Sequence, residues 1–428
     1  LISVMKNHQK YFPVYSAKKD ELLSNFVFVS GIKSKKPKTI IKGNERVIRA
    51  RFSDAEFFYN EDSKNHLSEY LNELKSMVYL SQIGSYYQKV QRLKKISRFL
   101  AGELNLQNEK NDLVKAAELA KADLATQMVF EFPELQGTMG KYYAHISGEK
   151  NSVSTAIEEH YMPLTRDGDL PESMLGSILS IVEKIDNICS CFIADLKPTG
   201  SADPYALRRQ AIGIIRIIIE QKLNISLNSV LSKSINITIK SMDKENLSKV
   251  SESESQILDN IINFISDRFK NLLIDEGFST NVIDSVLSLS FDNPTDSYNK
   301  IKAVQKFKKE KQFEELAIAF KRVVNIAKDK PKAKMNIKLF QDKSETNLYN
   351  KFQEIKEKTE KYFDSNGISS ESDYLKALNQ IKSLKKPVDD FFDNVMVMDK
   401  DEKLKNNRLA LLSEIKNLFF QISDFSKI

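Results

Sequence analysis

Two aspartates stand where they could ligate a metal. Asp123, in "LAKADLAT", shares a helical face with Ala116, Leu119 and Ala120, and Asp186, in "IVEKIDNI", lies beside Val182 and Cys189. A carboxylate on an apolar stripe must be paired or ligated, because burying an isolated charge is prohibitive. Imidazole support is missing: the residue before Asp123 is Ala122, and the histidines at 8, 66, 145 and 160 are scattered without ligand spacing. Two carboxylates alone leave a divalent ion under-coordinated. The expectation is therefore no metal at Asp123 or Asp186. Nucleophilic chemistry has no support either, since there is no Gly-x-Ser-x-Gly, P-loop or Gly-rich dinucleotide turn. No catalytic residue is assigned.

Cys189 and Cys191 are two apart in "NICSCF", too close for an unstrained disulfide and without a second pair for zinc. They read as packed free thiols, which fits a reducing cytoplasm. In "SADPYALRRQAIGIIRIIIE" three arginines, Arg208, Arg209 and Arg216, accompany an isoleucine-rich run. Asp203 reads as an N-cap and Pro204 as the first helical residue. Ile212, Ile215 and Ile219 form one stripe of a helix buried on most sides. The basic seam either pairs with carboxylates such as Asp186 or Glu183, the favoured reading, or reaches a phosphate.

Charge is unevenly spread. Residues 1–60 carry 12 Lys/Arg against 5 Asp/Glu and residues 306–428 carry 26 against 20, while the whole chain is +7, so the middle is net acidic. Two basic ends around that centre suggest a polyanion held at separate places or a chance scatter of surface charge. No apolar run approaches the ~18 residues of a membrane span, and no membrane partner is expected.

The elements that must position these residues are mostly helical, as the scarce Gly and Pro suggest. "KYFPVY" and "NFVFVSGI" read as short strands. "KGNERVIRARFSDAEFFYNED" reads as a helix capped by Asn44, with Val47, Ala55 and Phe58 on one face and Arg46, Arg49 and Arg51 as a basic cluster. In residues 174–193, Leu175, Ile178, Val182, Ile185, Cys189 and Phe192 form a core stripe. Residues 231–255, rich in Ser, Lys, Asn and Glu, read as a hydrated connection or an eroded helix pair. "SFDNPTDS", residues 290–297, is the clearest boundary signal and would make residues 306–428 separable. The last helix carries Leu411, Ile415, Leu418, Ile422 and Phe425, behind a capping box in "DKDE".

The two aspartates and their helices resemble the HD-type helical fold, whose phosphohydrolases hold divalent metal through His and Asp residues. That resemblance makes Ala122, Asp123 and Asp186 a degenerate site, and without the histidines such an enzyme is only an alternative reading. Longer strings are more specific. "NHQKYFPVY", "GNERVIRARFSDAEFFYNED", "KADLATQMVFEFPELQGTMGKYYA", "AIEEHYMP", "DPYALRRQAIGIIRIIIE" and "FFDNVMVMDKDEKLKNNRLALL" occur in this order. Together they closely resemble the β subunit of the tetrameric bacterial-type glycyl-tRNA synthetase, over essentially the whole chain, with the family's N-terminal part preceding Leu1.

That resemblance implies a mainly α chain in four parts. These are an α/β segment at 1–63, an HD-like helical domain at 64–230, a helical connection at 231–305, and an anticodon-binding helical domain at 306–428 similar to that of arginyl-tRNA synthetase. It implies binding and orientation of tRNA(Gly) for ATP-dependent glycylation on an α subunit, within a cytoplasmic α2β2 assembly. ATP and Mg would be bound by the α subunit and no cofactor by this chain, with no DNA partner. Anticodon bases are read on their splayed edges, with Lys and Arg on phosphates. The candidates are Lys321, Arg322 and Asn325 in "FKRVVNIAK", Lys405, Asn406 and Arg408 in "KLKNNRLALL", and Arg46, Arg49 and Arg51. Tyr349, Phe352, Tyr362 and Phe363 could stack on bases or pack a core. A helical scaffold that touches no RNA is the remaining alternative.

Overall fold

A computed structural model describes residues 2, 5–6, 9–17, 21–33, 35–310, 313–327, 334–363 and 368–428. His8 lies outside the described residues. The chain divides into two compact units: Leu1–Ile214 with Leu231–Ile257, and Ile215–Val230 with Leu258–Ile428.

The first unit opens on an antiparallel hairpin, β1 (Phe12–Tyr15) and β2 (Leu22–Val27), paired Phe12 to Val27 and Tyr15 to Leu22. Tyr11 stacks on Phe26, and with Met5 and Ile48 it makes a small apolar cluster. Helix α1 (Pro37–Asp62) starts seven residues before Asn44, because Pro37 supplies the first-turn conformation. Asn44 is therefore no cap. Its amide donates to the Ile40 carbonyl and accepts from the Tyr11 hydroxyl. The buried face of α1 runs through Ile48, Ala55 and Asp62, and Val47 is exposed.

A short strand pair, β3 (Val78–Leu80) and β4 (Gly84–Ser85), leads into α2 (Tyr86–Glu103), which Ser85 and Gln88 start with a capping box. There follow α3 (Lys110–Leu119), α4 (Gln127–Glu131), α5 (Thr138–Ile146), α6 (Asn151–Glu159) and α7 (Met174–Ile193). Helix α2 packs on α3 and α7, and α6 on α5 and α7. The predicted stripe of α7 is buried, and so is most of the rest of that helix, which makes it the axis of the bundle. Cys189 and Cys191 are buried free thiols, pushed up to about 12 by burial.

The unit divisions fall inside α8 (Leu207–Glu220), α9 (Leu227–Ser241) and, past α10 (Lys244–Leu247), α11 (Glu254–Asp275). Helix α8 begins three residues after Pro204. Asp203 still caps it at a distance, accepting from the Leu207 and Arg208 amides at 2.8 and 2.9 Å. Residues 231–241 are not hydrated: Leu231, Ser234, Ile235, Ile237 and Thr238 are buried in the first unit. The Thr238 hydroxyl bonds back to the Ser234 carbonyl one turn earlier, which lets it sit inside α9.

The second unit continues through α12 (Thr280–Leu287), α13 (Pro294–Phe307), α14 (Phe313–Ile326), α15 (Lys343–Glu360), α16 (Glu371–Ile381), α17 (Lys385–Asn394) and α18 (Glu402–Phe420). Helix α13 packs on α12 and α16, α14 on α17 and α18, and α15 on α16, α17 and α18. Phe320 stacks on Phe419 at 3.9 Å between centroids, with Phe425 at their edge. The predicted stripe from Leu411 to Phe425 is buried, but α18 ends at Phe420, so Ile422 and Phe425 fill the core from the turn beyond it. Asp401 caps α18 alone, accepting from the Lys403 amide.

"SFDNPTDS" marks a helix start inside a unit, with Asn293 capping α13 through the Asp296 amide. Residues 306–428 lie within the second unit, beginning at the last two residues of α13.

Candidate functional site

The polar centre of the first unit is built from α2, α6, α7 and the turn after α3. Asp186, fully buried on α7, accepts from Lys89 Nζ at 2.9 Å and from Arg92 Nε and Nη2 at 2.6 and 3.1 Å. Both cations come from α2, where they alternate with the buried Val90, Leu93 and Ile96. Glu183, one turn earlier on α7, holds Lys121 Nζ at 3.0 Å and Lys89 Nζ at 3.4 Å through Oε1. Burial opposes ionisation of both carboxylates, but the cations outweigh it and hold each below its ordinary range. Lys89 is likewise held charged, with Asp186 and Glu183 overcoming the cost of burial.

His160 Nδ1 faces the Ile157 carbonyl at 2.6 Å, so it carries the proton and Nε2 accepts from Lys121 at 2.8 Å. Burial, reinforced by Lys121, keeps this imidazole neutral well below its usual range. Asp123 Oδ2 accepts from the Gly137 and Gly140 amides at 2.6 and 3.1 Å, and burial pushes its carboxyl up to about 6. Both glycines are demanded by the geometry. Gly137 has φ +82°, and a Cβ on Gly140 would lie 2.9 Å from Asp123 Oδ2.

This donor set does not fit a divalent metal. Asp186 already faces an ammonium and a guanidinium, Asp123 Oδ2 is taken up by two backbone amides, and Ala122 has no donor. Among the described residues no group of three or more His, Cys, Asp and Glu could hold an ion. The phosphohydrolase reading fails on that chemistry.

The arginine seam is not what ties α7 down. Asp186 and Glu183 take Lys89, Arg92 and Lys121 instead, so the expected pairing with Arg208, Arg209 or Arg216 is corrected. Arg208 Nη2 donates to the Gly200 carbonyl at 2.7 Å, and Arg209 is exposed. Arg216 lies within electrostatic reach of Glu276.

Lys184, also on α7, donates to the Met162 carbonyl and Ser180 Oγ at 2.7 and 2.6 Å, and burial holds its ammonium down to about 7. An unfolded lysine keeps its proton to about pH 10.4. Between these values the unfolded chain binds a proton that the folded chain has released, so stability rises with pH. Urea unfolding at pH 7, 8 and 9 should show the wild type gaining up to about 1.4 kcal/mol per pH unit over Lys184→Met. A constant gap between the two proteins would refute a depressed Lys184.

In the second unit, Lys321, Arg322 and Asn325 are exposed on α14, with the Arg322 guanidinium 4.3 Å from the Phe392 ring centroid. Lys405 and Asn406 are half-buried and engage Glu402, at its carboxylate and its carbonyl. Arg408 does not face solvent. It is buried, with Nε on Glu345 at 2.9 Å and Nη1 on Asp399 and the Met396 carbonyl at 2.7 and 3.1 Å. Its neighbours in "NNRLALL" turn inward too, as α18 buries Asn407 to Leu412 without a break. Arg46 and Arg49 are exposed on α1, and Arg51 pairs with Glu131 at 3.1 Å. Phe352 is core, while Tyr349, Tyr362 and Phe363 are half-buried.

Sequence reasoning missed Lys89, Arg92 and Lys121. The legible signal was a Lys and an Arg three apart on the same stripe as Val90, Leu93 and Ile96. Asp62 was missed as well. It is buried and accepts from the Gln127 and Met128 amides and the Tyr143 hydroxyl, at 2.9 to 3.0 Å.

The first unit is thus a helical bundle whose centre is closed by ion pairs, and the second a helical bundle that exposes Lys321, Arg322 and Asn325 on α14. Residues 1–288 match the family model described as glycyl-tRNA synthetase beta subunit, and residues 316–424 match the DALR anticodon binding domain. The chain belongs to the glycyl-tRNA synthetase beta subunit family. It is 43% identical over 428 residues to the glycine–tRNA ligase beta subunit of Geotalea daltonii and 41% identical over 432 to that of Syntrophotalea carbinolica. It is 39% identical over 428 to that of Clostridioides difficile. In each case all of this chain is covered, and it spans 60% of the relative's length. Among the described residues, no helix is long and apolar enough to cross a membrane.

Proposed function

We propose that this chain is the tRNA-handling portion of a glycine–tRNA ligase beta subunit. The second unit grips the anticodon arm of tRNA(Gly), and the chain orients the tRNA for glycylation at an active site on an α subunit. That subunit would bind ATP and Mg, in an α2β2 assembly in the cytoplasm. The observation that carries the reading is the anticodon-domain match over residues 316–424, which includes the exposed Lys321, Arg322 and Asn325 of α14. A guanidinium propped on an aromatic ring, beside an ammonium and an amide, offers phosphate neutralisation and base-edge hydrogen bonds together.

Filter binding of tRNA(Gly) across a salt series tests this. Lys321→Ala with Arg322→Ala should weaken binding about tenfold and reduce the salt slope by about 2. A wild-type slope near zero, or equal affinity for every tRNA, would establish the scaffold reading instead.

A further inference from the structure

Helix α1 carries its positive charge on the side that nothing covers. Between residues 33 and 51 the chain has eight Lys and Arg against one acid, Glu45. Lys38, Lys42, Arg46 and Arg49 follow at steps of four, four and three, so they share one face of the helix. All four are exposed, and among the described residues none makes an ion pair or a side-chain hydrogen bond. The opposite face is occupied: Asn44 accepts from the Tyr11 hydroxyl, and Ile48 packs with Met5 and Tyr11. The basic cluster read from the sequence thus changes membership. Arg51 leaves it for Glu131, and Lys38 and Lys42 join it.

At about 1.5 Å per residue the stripe is about 16 Å long, with a cation roughly every 6 Å. A line of unpaired charges suits a linear polyanion rather than one small anion, because each cation neutralises a separate phosphate and releases its counterions. Lipid fits poorly. A helix lying on a membrane needs a broad apolar face, whereas that of α1 is spent on the hairpin cluster, with the exposed Ile41 and Val47 left on opposite sides of it. Nor does α1 carry an aromatic between Lys38 and Arg49 to stack on an open base. Gly43 adds a second observation. It is exposed in mid-helix, where glycine is less stable than alanine, and nothing lies within 4 Å of where its Cβ would stand. Packing gives it no role, but bare backbone one turn before Arg46 lets a partner's strand come close.

We propose that this face of α1 grips the phosphates of a duplex RNA arm without reading its sequence. Duplex RNA is recognised by its shape and its phosphates, since its deep, narrow groove keeps side chains from the base edges. The proposal rests on the reading of the chain as tRNA-binding. It gives the first unit an RNA contact of its own, distinct in kind from anticodon recognition by the second.

The test uses the full chain and a short RNA duplex of arbitrary sequence, in filter binding across a salt series. Lys38→Gln, Lys42→Gln, Arg46→Gln and Arg49→Gln together should weaken duplex binding about thirtyfold at low salt and reduce the salt slope by about 3. All four side chains are exposed and unbonded, so the variant keeps its fold, as circular dichroism will show. Lys95→Gln with Arg98→Gln removes two exposed cations of α2 instead, and should leave the slope as it is. Four results would overturn the proposal: an unchanged slope in the α1 variant, the same loss per charge in the α2 variant, a larger loss on poly(U) than on the duplex, or tighter binding to phosphatidylserine vesicles than to the duplex. Equal wild-type affinity for every tRNA, with the α1 variant still losing the duplex, would count against the tRNA(Gly) reading alone.

Discussion

Asp186→Ala unfolds the first unit or leaves it barely stable. The substitution strands Lys89 and Arg92, each about 1% exposed, without the carboxylate that both share. Removing one partner of a buried ion pair costs about 3–5 kcal/mol, against about 5–15 kcal/mol for a whole domain. Urea denaturation followed by circular dichroism reads the loss directly. The companion variant changes all three groups, with Lys89→Met, Arg92→Met and Asp186→Leu. It should return to within about 1–2 kcal/mol of wild type, because apolar groups of similar volume replace buried ion pairs at little cost. A loss below about 1 kcal/mol in Asp186→Ala would mean that the cluster is solvated and the ion-pair account is wrong.

Arg408→Ala destabilises the second unit on a similar scale, about 3–5 kcal/mol. Glu345 is fully buried and spends Oε2 on the Gln341 and Asp342 amides at the start of α15, so Oε1 depends on Arg408. One guanidinium joins the α15 start, the loop carrying Met396 and Asp399, and α18. Arg408→Lys keeps the charge but reaches these partners from one point, and should lose about 1–2 kcal/mol. If Arg408→Lys is as stable as wild type but loses tRNA(Gly) binding, Arg408 is a recognition residue after all. Stability lost with binding retained fits the buried clamp.

What could be read from the sequence was whatever repeats locally. The stripes of α7 and α18 follow from helical spacing, and both are buried. Strands β1 and β2 follow from their aromatic and β-branched residues. The site was only half legible. Asp123 and Asp186 stood out because a carboxylate on an apolar face demands a partner, but the partners of Asp186 lie 94 to 97 residues away. No local pattern points across that distance. The nearer arginines of α8 were favoured on proximity and a shared greasy neighbourhood, yet they reach elsewhere. Arg408 shows the reverse error. A lone Arg in a polar stretch looks solvent-bound until Glu345, 63 residues earlier, is seen to need it.

Lys89 and Arg92 stand beside Asp186, where the sequence alone left room for a metal ligand. A bound ion is a borrowed charge: it has an affinity, a competitor and a chelator that removes it. A cation on a side chain has none of these. The centre of this bundle is thus neutralised once, at translation, and stays so whatever the supply of divalent ions. In exchange it gives up the open coordination position that hydrolysis needs, so no change of metal would awaken a phosphohydrolase here.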